Sequence, residues 1–201
     1  MKKRFLPVAM AQRCLGLITA NVAADCSNPM FAGDEIIIYL ANKSEIASYT
    51  YNGSNPLIVE AITMSGAATF FTLTGVTSSN NSKTSLDKQK LGSGFIHEIE
   101  AVVLNDNGAT KAQLELYAKG VLTIIVEHKR KGASGASAFE IFGKDQGLEL
   151  AVLNRDQSSS ENKGAYTIAF KTLAGLNEPH LPAPLFVTSY AASAAVVAGL
   201  L

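Results

Sequence analysis

Along this chain, short apolar runs alternate with polar, turn-forming stretches, and most of the runs have the length and residue type of β-strands. Residues 36–40, Ile-Ile-Ile-Tyr-Leu, are β-branched and aromatic. Residues 57–64 place Glu60 and Thr63 between apolar positions, and residues 69–76 follow a Ser65-Gly66 turn, so the two predict a hairpin. Residues 97–104 alternate: His97, Ile99, Ala101 and Val103 share one face, and Glu98, Glu100, Val102 and Leu104 share the other. Residues 121–126 form the most apolar run and predict a central strand. Residues 139–143 and 148–153 flank Lys144-Asp145-Gln146-Gly147, the clearest hairpin signal of the chain. Residues 165–172 alternate again as a late strand.

Two segments carry a helical signal. Thr110 can cap a helix that runs through Lys119, with Leu114, Tyr117 and Ala118 on one face and Gly120 as its stop. Strand, helix and strand over residues 97–126 are then consistent with a crossover unit, right-handed if the strands are parallel neighbours. The second helix is residues 190–201, almost wholly Ala, Val and Leu, broken only by Ser193 and Gly199. A helix apolar all round is buried on all sides, either beneath its own sheet or in a groove on another subunit.

The polar stretches divide the remainder. Residues 1–34 lack periodicity and read as an N-terminal arm; residues 35–201 read as one β-rich domain. Within it, residues 77–94 and 154–164 are expected as extended polar loops, and residues 177–184, with three prolines, as a covering strap. The expected fold class is α+β, mainly β, with a β-sandwich or barrel-like body, one mid-chain helix and a C-terminal helix.

Composition changes this picture in two ways. A chain of 201 residues buries roughly 70% of its unfolded surface and needs no staple to fold. Its charged fraction of 17% lies below the ~25% usual for soluble domains, which suits a subunit covered by neighbours as well as an ordinary globule. The net charge is zero, without the basic excess of a duplex-binding protein. The compact basic run His128-Lys129-Arg130-Lys131 reads either as a solvated strand end or as a contact to DNA or an acidic neighbour.

Candidate chemistry is sparse. His97, His128 and His180 are not at zinc-ligand spacing from one another or from a cysteine. The two cysteines, Cys14 and Cys26, do not make a disulfide scaffold, and nothing around Cys26 lowers a thiol pKa. Gly132-Ala133-Ser134-Gly135 lacks the Lys and Ser/Thr that a phosphate loop requires. Glu98 and Glu100 share a strand face without the aromatic platform of a sugar site, since the chain has no Trp. No catalytic, cofactor-binding or metal residues are assigned, and no enzyme activity is expected. No run of ~18 apolar residues is present, so no membrane span is expected. The start, Met-Lys-Lys-Arg and then residues 5–11, is similar to a secretory signal, but Arg13 interrupts the apolar region.

Three segments together carry a resemblance: Asp25-Cys26-Ser27-Asn28-Pro29, the run from Phe139 to Leu148, and Phe186-Val187-Thr188-Ser189-Tyr190-Ala191 leading to Leu200-Leu201. In these the chain resembles small neck and tail structural proteins of tailed bacteriophages that infect Bacteroidetes, including the crAss-like phages. The resemblance implies a virion protein of the neck or tail, assembled in the host cytoplasm. It would be a homo-oligomeric ring or tube subunit that meets neighbouring tail or portal proteins and touches passing DNA transiently and without specificity. The expected intersubunit contacts are Phe5, Leu17, Ile18, Val196, Val197, Leu200 and Leu201, and the expected channel, DNA or subunit contacts are Lys129, Arg130 and Lys131. The alternative is an exported β-rich binding or surface protein with a cleaved N-terminal signal.

Overall fold

A computed structural model describes residues 36–76, 79–89, 92–158 and 164–201. The N-terminal arm, with Phe5, Leu17, Ile18, Cys14 and Cys26, lies outside the described residues, as do residues 159–163 of the second expected loop. The described elements are β1 (Ile36–Asn42), β2 (Ile46–Tyr51), β3 (Val59–Met64), β4 (Phe71–Leu73), β5 (Asn81–Gln89), β6 (Gly92–Val103) and α1 (Gly108–Tyr117), then β7 (Leu122–His128), β8 (Phe139–Phe142), β9 (Leu148–Arg155), β10 (Tyr166–Thr172), β11 (Ala183–Pro184) and α2 (Tyr190–Ala198). The protein is mainly β with one mid-chain and one C-terminal helix, and its body is sandwich-like, as the apolar pattern implies.

Among the described residues the paired strands are antiparallel and, apart from the separate β2–β3 hairpin, fall into two packed layers. One layer is β9-β10-β6-β5; the other is β4-β1-β7-β8-β11. A single residue pair, Leu122 with Leu148, joins them. Between the layers lies a core of Ile38, Leu40, Ile124 and Val126 from one side and Ile99, Ile168 and Phe170 from the other. Helix α1 adds Leu114 to this core, and its Tyr117 ring meets Phe170 edge-on at 6.0 Å.

The β1/β7 layer is buried on its second face too. The β2–β3 hairpin and α2 cover it, packing Val59, Ile62, Val197 and Leu200 against Ile125, Phe139 and Ile141. A sheet covered on both faces needs near-continuous apolar runs, which residues 36–41 and, with Thr123 as their one polar member, 122–126 supply. α2 is capped by Ser189, whose side chain accepts from the Ala192 N–H. Ser193, buried in an otherwise apolar helix, is satisfied twice: its hydroxyl donates to the Ser189 carbonyl at 3.0 Å and accepts from the Val187 N–H at 3.1 Å. The Phe70 N–H donates to the Leu200 carbonyl at 2.8 Å, tying the helix end to the body.

Several pairings differ from the local pattern. β3 pairs with β2, and β4 with β1, so residues 57–76 do not form a hairpin. β2 has no counterpart among the strands expected from the sequence. β6 and β7 face each other across the core, so α1 links the two layers and there is no parallel crossover. Its N-cap is Asn107, whose side chain accepts from the Thr110 N–H at 2.8 Å, three residues before the cap expected. Most of the expected loop at 77–94 is strand, paired from Asn81–Glu100 to Gln89–Gly92. β5 is Ser-, Thr- and Lys-rich and exposed along most of its length, so no apolar alternation marks it.

β8 and β9 are joined by the expected tight turn but do not pair. β8 lies against β7 and β11, and β9 against β10. Gly143 and Gly147, at φ 67° and 90°, take the chain from one layer to the other within five residues. Such left-handed backbone is open to glycine at little cost. The 143–147 segment is therefore a corner. The strap is partly sheet: Glu178 bridges Phe95, and Ala183–Pro184 pairs as β11 with Ile141 and Glu140.

Candidate functional site

The β9-β10-β6-β5 layer is the larger surface left for function. Its inner face supplies Ile99, Ala101, Val103, Ile168 and Phe170 to the core. Its outer face carries mixed charge in cross-strand contact: Lys83 bridges Glu100 at 2.7 Å, and Lys171 approaches Glu98 at 3.9 Å. The Glu100 bond raises the Lys83 ammonium pKa above its ordinary value. Among the described residues β5 pairs only with β6, and β9 pairs only with β10 apart from Leu122–Leu148. The layer thus ends in two strands of eight and nine residues with open outer edges. On the β9 edge Val152 and Leu153 are 44% and 45% exposed. Three successive antiparallel pairings make β5 and β9 run in opposite directions.

A second candidate lies where the strap crosses the β8–β9 corner. Glu178 is 1% exposed, yet its carboxylate accepts three backbone N–H groups of the corner, from Asp145, Gln146 and Gly147 at 3.0, 2.8 and 3.0 Å. His97, also 1% exposed, bonds the His180 carbonyl through Nε2 at 3.1 Å and accepts from the Gly143 N–H at Nδ1 at 3.3 Å. The Thr123 hydroxyl donates to the Gly143 carbonyl at 3.1 Å, and the Thr172 hydroxyl brackets the His97 backbone at 2.7 and 3.3 Å. Burial holds the His97 imidazole below its ordinary pKa, against the opposing pull of Glu178, the His180 carbonyl, Glu140 and Asp145.

Beside this junction is an open cleft of about 620 Å³, lined mainly by apolar groups including Tyr51, Leu57, Phe95, Leu181 and Pro182. Lys144 stands at its rim, donating to the Tyr51 hydroxyl at 3.2 Å and to Asp145 at 3.0 Å. Burial opposes the Lys144 charge, but Asp145 and Tyr51 raise its pKa above the ordinary lysine value. The volume suits a small molecule or a peptide segment. No group of three or more His, Cys, Asp or Glu among the described residues could hold a metal ion.

The residues expected from the sequence are dispersed. Val197 and Leu200 are buried in the second core of their own chain. The outer face of β7 and β8 needs cover, and α2 shares that cover with the β2–β3 hairpin. Val196 packs half-buried on the same cluster, while Leu201 is exposed. Lys129, Arg130 and Lys131 follow β7 in the other layer, apart from the Glu98/Glu100 face. Lys131 pairs with Glu127 at 3.5 Å and lies over the Tyr190 ring at 3.3 Å. Among the described residues no helix is long and apolar enough to cross a membrane.

Sequence reasoning did not single out Glu178 or the β5 edge. Glu178 stands beside a proline in an extended segment and gives no local sign of burial. The β5 edge had no apolar period to read. Comparison with protein-family models, with curated proteins and with solved structures finds no match.

Proposed function

We propose that this chain is a virion structural protein, a subunit of a ring or tube in a phage neck or tail through which DNA passes. The observation that carries the reading is the four-stranded β9-β10-β6-β5 layer, whose two edges run in opposite directions and are unpaired among the described residues. A copy related by rotation about a ring axis brings its β9 antiparallel to β5. The same contact repeated closes a heterologous ring and leaves neither edge of this layer free. Open edges are an aggregation hazard in a monomer, and closure removes the hazard. The mixed-charge outer face, with Glu98 and Glu100 each near a lysine, suits a channel wall that does not retain phosphate. The resemblance to neck and tail proteins points the same way.

The test is native mass spectrometry with negative-stain electron microscopy of the full chain. Rings of one fixed copy number are expected. The double substitution Val152→Lys with Leu153→Lys places charge on the β9 edge and should leave folded monomers. A wild-type chain that stays monomeric at high concentration would refute the reading. If the native protein begins near Asn21 or Asp25, the exported alternative gains instead.

A further inference from the structure

Strap and corner are held together by two ionisable side chains sealed from solvent, His97 and Glu178. The hydrogen bonds of His97 specify one protonation state. With Nε2–H donating to the His180 carbonyl, Nδ1 keeps a lone pair and accepts from the Gly143 N–H. An imidazolium carries protons on both nitrogens. Its Nδ1–H would meet the Gly143 N–H donor to donor, in a position too buried for water to intervene. An attraction between β6 and the corner then becomes a repulsion, and two buried donors, the Gly143 N–H and the new Nδ1–H, stand without acceptors.

The surroundings determine whether the proton can be tolerated in place. Glu178 from the strap, Asp145 from the corner and Glu140 from β8 act on the ring electrostatically, the His180 carbonyl bonds it, and Phe142 meets it edge-on at 5.4 Å; Thr172 from β10 brackets its backbone, and Lys144 pairs with Asp145. The three carboxylates favour the charged ring; loss of hydration opposes it and prevails. A closed junction therefore resists the proton that an open, hydrated one accepts, so opening and protonation are linked. The strap can yield, because residues 179–181 are exposed between the anchors Glu178 and Ala183.

We propose that His97 is the acid-sensitive catch of a latch: when its imidazole takes up a proton, strap residues 177–184 part from the β8–β9 corner and the apolar cleft they border widens. The proposal does not rest on assembly.

Hydrogen–deuterium exchange of the full chain at about pH 7.5 and about pH 5, corrected for intrinsic rates, tests it. Opening of residues 143–147 and 177–184 should rise about tenfold or more in acid while β1 and β7 stay protected. In His97→Gln, whose uncharged amide keeps one donor and one acceptor group, this response should vanish. No acid response, a rise shared equally by β1 and β7, or a response that persists in His97→Gln would overturn the latch. Should His97→Gln not fold, nitrogen NMR of the wild-type imidazole decides. Protonation with the same midpoint as the strap amide shifts supports the proposal; a strap that opens while Nδ1 stays unprotonated overturns it.

Discussion

The two layers of the sandwich use the same antiparallel pairing to opposite ends. The β4-β1-β7-β8-β11 layer is covered on both faces, by the inter-sheet core on one side and by the β2–β3 hairpin and α2 on the other. Among the described residues the β9-β10-β6-β5 layer is covered on one face only, and its outer face and both long edges remain unpaired. The first layer concentrates the apolar burial that stabilises the subunit. The second presents backbone and charge to whatever the subunit meets. Stability and interaction are therefore separable by substitution, and the separation can be broken experimentally.

The largest effect should come from the doubly covered layer. Ile124 is fully buried on central β7, and Ile124→Ala is expected to cost about 2–5 kcal/mol in denaturant unfolding. A cost comparable to that of an open-face substitution would show that the layers do not differ. Next is Val197→Asp, which puts an unpaired carboxylate into the second core and should cost about 3 kcal/mol or more. If α2 served a neighbouring subunit instead, the isolated chain would keep its melting temperature and only assembly would suffer.

Acid should act at the junction between the layers. The folded-state pKa of His97 lies below the ordinary 6.5, so the unfolded chain binds more protons in that range. The His97 contribution is intact above about pH 6.5 and is lost as pH falls through the interval down to the folded pKa. Urea midpoints measured at steps across that interval should decline for the wild type and decline less for His97→Gln. The smallest effect belongs to the open face: Lys171→Ala breaks a long, exposed ion pair with Glu98 and should change stability by no more than about 0.5 kcal/mol.

How much was legible follows from how each element is buried. β1, β7 and the inward face of β6 were readable because their burial is local to the strand: an apolar run for two covered faces, an alternation for one. β5 was not, because a strand exposed on most positions carries no period. The β8–β9 turn was recognised but not its outcome, since the same glycines serve a hairpin or a corner, and only the partners β7 and β10 distinguish them. Helix α2 was recognised as buried, but an apolar surface does not specify which groove receives it.

The sequence by itself determined the class of fold, the main strands and both helices, because period and propensity act over a few residues. Only the tertiary structure decided which strands are neighbours, that α2 lies on its own subunit, and that Glu178 and His97 meet at a sealed junction. Those outcomes depend on contacts between segments tens of residues apart, where packing and hydrogen-bond satisfaction choose among pairings that local pattern leaves equivalent.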